Sequence, residues 1–401
     1  MLASFPPVRG SMVLMPTMTM MNASRVPLVE VTESGLFCPL GGFHVDPWRP
    51  VARAVVTHAH ADHALAGCGS YLAAREGLGV LRARLGEAAA ITGLSYGEVV
   101  EVNGVRVSLH PAGHILGSAQ VRIEHGGEVW VVSGDYKLES DPTCVAFEPI
   151  RCHTFISEST FGLPIYRWQP PHQVFDQISG WWRANQEVGR ASVLFAYALG
   201  KSQRILGELA LRGDLPGPIV THGAVEVITA AYRAAGIGLP ETVYGLGRTS
   251  PSSWAGALIL APPSAQGTPW IRRFGSYSSG FASGWMRIRG TRRRRAVDRG
   301  FVLSDHADWP GLLAAIQATG AERVWLTHGY SAVVARWLRE HGTDADVVAT
   351  QFRGEGGAVD ANLGPEDPGD APAGLAFDQG PEGKPDQAAS QTAKQAAEAQ
   401  P

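Results

Sequence analysis

The stretch THAHADHALAG, residues 57–67, places His58, His60, Asp62 and His63 within six positions. Neutral imidazoles and carboxylates are the ligands of zinc or a similar divalent ion. In extended chain alternate residues point the same way, so His58 and His60 can grip one ion. Asp62 and His63, where the chain turns, can face a second ion beside it. This spacing points to a binuclear site rather than a structural zinc. Two ions a few ångströms apart would activate a water and stabilise developing negative charge, so no serine or cysteine nucleophile is needed.

Such a turn needs a scaffold, and two ions need more ligands. Before the motif, RAVVTH is a β-branched run of strand type; after it, ALAGCGSYLAAREGLGVLRARLG reads as helical, which places the ligands on a strand-to-helix turn. Other ligand-type residues also follow strand-like runs. His114 lies in HPAGHILGSAQ after VRVSL, flanked by glycines that permit close backbone approach. Asp135 ends a run of buried type in VVSGDYK, where an uncompensated carboxylate would cost several kcal/mol. His306 in VLSDHADW and His328 in VWLTHGY each close an apolar strand, and THG recurs at His222, read as structural.

Strand and glycine-rich turn alternate from about residue 28, with AQVRIEHGGEVWVVSGD as a hairpin. Between about 159 and 299 strands alternate with helices (ASVLFAYALG then KSQRILGELAL, PIVTHG then AVEVITAAYRAAG), the pattern of a parallel α/β unit. The first texture then returns. The expected organisation is an extension over 1–27, a first domain part over 28–158, an inserted α/β module over 159–299, the rest of the first domain over 300–353, and a tail over 354–401. The extension is read as disordered or as a start placed too early.

The tail is rich in Pro, Gly, Ala and Gln, and residues 360–401 hold eight acids against two lysines. It lacks the apolar surface to fold and is expected to be disordered. Because the net charge is only -3, the remainder carries a slight positive excess. The four cysteines, Cys38, Cys68, Cys144 and Cys152, form no C-x-x-C pair, which suits a reduced, cytoplasmic setting. The methionine-rich amino terminus, broken by Pro16, makes a poor signal peptide and is too short to span a bilayer, so no membrane association is expected.

THAHADH, PAGHILGS, SGDY, SESTFG, SDHAD and LTHG occur in the order found in nucleases of the metallo-β-lactamase fold that carry a β-CASP insertion. GLFCPLGGFHVDPWRPVARAVVTHAHADH and FASGWMRIRGTRRRRAVDRGFVLSDHADW further resemble the bacterial ligase-associated DNA exonucleases. The resemblance covers roughly residues 28–353. It implies a metallo-β-lactamase αββα sandwich with an inserted β-CASP α/β domain. It also implies two divalent ions, zinc or manganese: one on His58, His60, His114 and Asp135, the other on Asp62, His63, Asp135 and His328, with Asp135 bridging. Asp46, in HVDPW, would buttress the site, and Glu158 would orient His306, which would protonate the leaving group.

The substrate implied is single-stranded DNA trimmed from the 3′ end, in repair alongside an ATP-dependent ligase and a helicase. RNA 3′-end processing is the runner-up, since a histidine at the position of His328 is typical of RNA-cleaving relatives. A thioester-type small-molecule hydrolase shares the first motif but needs neither the insertion nor the arginines. A non-catalytic relative would have lost ligands that this chain keeps.

Arg287, Arg289, Arg292, Arg293, Arg294, Arg295 and Arg299 precede the His306 strand and form a basic run able to meet phosphates. Tyr277, Phe281 and Trp285 are read chiefly as core. ALGKSQ is no phosphate loop, because Phe195 stands where a glycine is required; Lys201 and Gln203 are instead expected to line the cleft.

Overall fold

The computed structural model describes residues 27–350, apart from 214, 245–253 and 291–294. The extension, the acidic tail, and Arg292, Arg293 and Arg294 of the basic run lie outside the described residues.

The first sheet contains β1 (Glu30–Thr32), β2 (Gly35–Cys38), β3 (Phe43–Val45), β4 (Arg53–Val55), β5 (Ser70–Ala74) and β6 (Ile91–Leu94), in that order. From β3 onward the strands are parallel. The second begins with β7 (Val99–Val102), β8 (Val105–Pro111), β9 (Ala119–His125), β10 (Glu128–Val132) and β11 (Thr154–Ser157). Residues at every second position of β8, Val105, Val107 and Leu109, are fully buried, while Arg106 is exposed, as strand alternation requires. Gly126 and Gly127, both at positive φ, make the two-residue turn that sets His125 opposite Glu128 in the expected hairpin.

The third sheet is all parallel: β12 (Ala191–Phe195), β13 (Ile219–Thr221), β14 (Val243–Tyr244), β15 (Leu258–Ala261), β16 (Tyr277–Ala282) and β17 (Arg299–Phe301), in the spatial order β14-β13-β15-β12-β16-β17. The chain then returns to the second sheet with β18 (Arg323–Leu326) and β19 (Asp344–Val347), which extend it beyond β11.

Valines and isoleucines of β8 and β9 meet Leu36, Val45 and Val55 of the first sheet, so the first two sheets enclose one core. Each large aliphatic chain fully buried there contributes roughly 1.5–3 kcal/mol. Helix α1 (Leu78–Leu85) covers the outer face of the first sheet, joined there by Ile228 and Tyr232 of a later helix. Helices α2 (Pro171–Glu187), α3 (Lys201–Arg212), α4 (Gly223–Ala234) and the short α5 (Pro269–Arg272) accompany the third sheet. Helices α6 (Trp309–Thr319) and α7 (Ser331–Glu340) cover the outer face of the second. The molecule is thus mixed α/β with three sheets.

Two expectations change. The segment after the histidine motif is not a continuous helix, because Ser70–Ala74 is the strand β5, paired in parallel with both β4 and β6. Gly69 lies so close to Ala52 that an added Cβ would stand 2.8 Å from its carbonyl oxygen, an approach that favours strand over helix. Likewise Gly300, assigned on sequence to the returning segment, is the middle residue of β17 and pairs with Phe281. No helix among the described residues is long and apolar enough to cross a membrane.

Candidate metal centre

Asp46 follows β3, the histidine turn follows β4, His114 follows β8, Asp135 follows β10, Glu158 follows β11, His306 follows β17 and His328 follows β18. These side chains converge beyond the carboxyl ends of strands, the usual ligand position in sheets with parallel order. Gly134 lets the Asp135 loop close down on Thr57: a Cβ there would lie 2.6 Å from the threonine Cβ. Asp46 (φ 43) and His328 (φ 22) are two non-glycine residues held in the left-handed region, where backbone strain concentrates at functional positions.

Hydrogen-bond partners fix the imidazoles of the first group. Thr57 Oγ1 donates to Asp46 Oδ2 (2.5 Å) and so accepts from His58 Nδ1 (3.0 Å), leaving His58 Nε2 as a lone pair. His114 Nδ1 donates to the Asp305 carbonyl (2.7 Å), and His60 Nε2 to that of Leu199 (3.3 Å). The remaining nitrogens converge: His60 Nδ1 is 3.1 Å from both His58 Nε2 and His114 Nε2. Asp135 Oδ2 stands 3.5 Å from His58 Nε2 and 3.9 Å from His114 Nε2. Three lone pairs and a carboxylate facing one point repel one another unless a cation sits among them, so this group fits a divalent ion. Burial holds His58 and His114 well below the usual histidine range, His63 adding to the effect at the first and His306 at the second. Both are therefore neutral and ready to ligate.

The second group is His63, Asp135 and His328, whose ligand atoms lie within 4.8 Å of one another. His63 Nδ1 donates to Asp46 (2.7 Å), turning Nε2 toward Asp135 (3.5 Å) and Asp62 (3.8 Å), while His328 Nε2 lies 2.9 Å from Asp135 Oδ1. Burial disfavours charge on His63, but Asp135, Asp62 and Asp46 outweigh it and push the ring up to about 10. Burial likewise opposes ionisation of Asp135, yet His63, His306 and His328 keep its carboxyl well below the usual range. A cavity this anionic holds either a proton or a metal cation.

A pH dependence follows. His63 titrates in the folded chain above its ordinary value of 6.5, so in chelator its proton contributes stability in full below about pH 6.5 and loses it as pH rises toward about 10. The melting temperature of chelated protein should fall between pH 7 and 10 and flatten over that window in His63→Gln, as calorimetry would report. A variant that falls as steeply as the wild type would refute the assignment.

Beside these groups His306 Nδ1 lies 2.9 and 3.1 Å from the Glu158 oxygens, with both side chains fully buried. Glu158 Oε1 also accepts from the Tyr136 amide at 2.7 Å. Glu158, Asp135 and His306 form a third cluster of ligand-type atoms, but both Glu158 oxygens are engaged, which suits an orienting carboxylate.

The structure brings His58, His60, His63, His114, Asp135 and His328 together, with Asp62 beside His63 and Asp46 behind it. Lys201 and Gln203 do not line an open cleft: both are fully buried. Lys201 Nζ lies 3.5 Å from Asp305 and over the Tyr197 ring, and Gln203 Oε1 caps α3 by accepting from the Gly200 amide. Of the arginine run, Arg287, Arg289 and Arg299 are exposed, Arg299 over the Phe301 ring, whereas Arg295 is half-buried over the Phe281 ring. Trp285 is half-buried against Phe161 and Tyr166. His222 caps α4 by accepting from the Ala224 amide, a structural role.

Sequence reasoning missed Thr57, the Leu199 carbonyl and Asp305, which together set the tautomers of the first group. Thr57 and Asp305 adjoin motif histidines, but nothing in the sequence marks Leu199. It also missed Ser159, whose hydroxyl bonds to the Thr327 carbonyl (2.8 Å) and so braces the loop that carries His328.

A scan against protein-family models finds no match. The chain is 32% identical over 314 residues to a probable DNA ligase of Opitutus terrae, a match covering 78% of this chain and 30% of that protein. It is 33% identical over 115 residues to endoribonuclease YSH1 of Yarrowia lipolytica, covering 28% of this chain and 14% of the relative. Against transcription termination factor FttA of Thermococcus kodakarensis it is 32% identical over 152 residues, 35% of this chain and 23% of the relative. The chain thus spans less than a third of each relative's length. Among solved structures, a protein of unknown function from Enterococcus faecalis V583 matches with a TM-score of 0.51 at 11% identity, covering 75% of this chain and 79% of the other, a likeness of fold.

Proposed function

We propose that the chain is a metal-dependent phosphodiesterase of the metallo-β-lactamase fold with a β-CASP insertion, acting on single-stranded DNA from the 3′ end in a repair setting with an ATP-dependent ligase and a helicase. The observation that carries the chemistry is the convergence of two ligand groups on the shared Asp135, beside the buried Glu158–His306 pair. His58, His60, His114 and Asp135 would hold one divalent ion, zinc or manganese, and His63, His328, Asp135 and Asp62 a second; such ions would supply Lewis acidity for hydrolysis of the phosphodiester.

The chain's own groups do the rest. Glu158 fixes Nδ1 of His306 as a donor, which leaves Nε2 to carry the proton that the departing alkoxide takes up. Asp46 and Thr57 hold His63 and His58 in their tautomers. The exposed Arg287 and Arg289, with the other arginines of the run, meet the phosphate backbone. The preference for DNA is supported by the extent of likeness to the probable DNA ligase, 78% of this chain against 28% for the endoribonuclease. A second reading, RNA 3′-end processing, is favoured by His328 at the last ligand position and by that endoribonuclease.

The test incubates the full chain and Asp62→Ala with manganese or zinc and 5′-labelled single-stranded DNA or RNA of one sequence. A DNA ladder shortening from the 3′ end, lost in Asp62→Ala, is the expected result. Preferential RNA cleavage would move the protein to RNA processing. No cleavage of either by metal-loaded protein would return it to the small-molecule hydrolases.

A further inference from the structure

His114 is enclosed by a ring of buried charges that crosses between the second sheet and the third-sheet unit. Its Nδ1 donates to the Asp305 carbonyl (2.7 Å), and the Asp305 carboxylate lies 3.3 Å from Arg204 Nη1. Arg204 Nε is 3.6 Å from Asp141, Asp141 accepts from Lys137 Nζ at 2.6 Å, and Lys137 Nζ donates to the His114 carbonyl at 3.3 Å. The circuit begins and ends on one ligand. Arg204 Nη1 also donates to the Ser304 carbonyl (2.5 Å), and Lys201 approaches Asp305 at 3.5 Å.

Arg204, Lys137, Lys201 and Asp305 are at most 2% exposed. So many charges withdrawn from water are costly unless each is compensated, and removal of one partner leaves others stranded. The compensation here is geometric. Arg204 and Lys201 belong to α3, while Asp305 directly precedes His306. One helix of the third-sheet unit therefore grips the segment that orients His114 through a main-chain oxygen and carries His306 on its next residue.

We infer that Arg204 and Asp305 are positioning residues, which make the ligand geometry of His114 depend on the seating of α3. This rests on the metal-centre reading and extends it: the inserted unit completes the first ion's site without supplying a ligand. Groups that orient ligating histidines typically change metal affinity 10- to 100-fold when removed.

The experiment titrates the full chain with cobalt(II), following the visible spectrum and the affinity, alongside thermal melting. Arg204→Met and Asp305→Asn should each weaken cobalt binding at one of two sites by roughly 10-fold or more and alter the spectrum, and Arg204→Lys should recover much of the loss. Arg212→Ala, which breaks the exposed pair of the same helix with Asp176, should leave both unchanged. Should Arg204→Met fail to fold, Asp305→Asn, nearly isosteric, carries the test. Variants that melt lower but bind cobalt with wild-type affinity and spectrum would overturn the inference alone. A wild-type chain that binds no cobalt would overturn the metal reading and this inference with it.

Discussion

Asp135→Ala should bind at most one divalent ion per chain and cleave its substrate on the order of 10³-fold more slowly, a loss of ~4 kcal/mol of transition-state stabilisation at tenfold per 1.36 kcal/mol. The size of the effect follows from position. Asp135 is the shared carboxylate of all three ligand clusters, and its oxygens lie within 4.0 Å of five imidazoles: His58, His63, His114, His306 and His328. Truncation leaves those rings converging without their counter-charge. Asp135→Asn, of the same shape, separates lost charge from lost volume and should show a comparable fall. Metal content by elemental analysis, set beside single-turnover cleavage, checks both halves. Two ions bound at full activity in either variant would show that the residue bridges nothing.

His306→Ala should lower kcat by roughly 10²- to 10⁴-fold, the usual contribution of a positioned acid, while ion content and KM stay near wild type. The discriminating probe is the leaving group. A phosphodiester that releases p-nitrophenolate, which needs no proton to depart, should lose far less on the same substitution. Glu158→Gln should give a smaller loss in the same pattern, because it frees the ring that both Glu158 oxygens hold. An equal loss on both substrates would reassign His306 to structure or to the metal site.

The metal-type residues were legible because chemistry concentrated them. Four stand in six positions, and each of the others closes an apolar run, where a strand end is the one place that a polar side chain meets a cleft. The hairpin at Gly126–Gly127 and the parallel unit were legible from period and turn chemistry. Ser70–Ala74 was not: tyrosine, leucine and two alanines suit a helix equally well, and the deciding contact is the backbone of Ala52 against Gly69. Lys201 was misplaced for a related reason. A lysine is usually at the surface, and only the folded chain puts Asp305 beside it. The buried ring was invisible because its members are far apart in sequence, Arg204 and Asp305 by 101 residues.

The order of the ligands along the chain has a consequence for synthesis. Asp135 and His328, hydrogen-bonded across the site, are 193 residues apart, and His63 comes earlier still. At about 5–20 residues per second, a ribosome releases His328 roughly ten seconds or more after Asp135 has emerged. Throughout that interval the nascent chain exposes the histidine-rich turn without its distal partner. Until His328 has emerged, the ligand group that it shares with His63 and Asp135 stays incomplete on the ribosome.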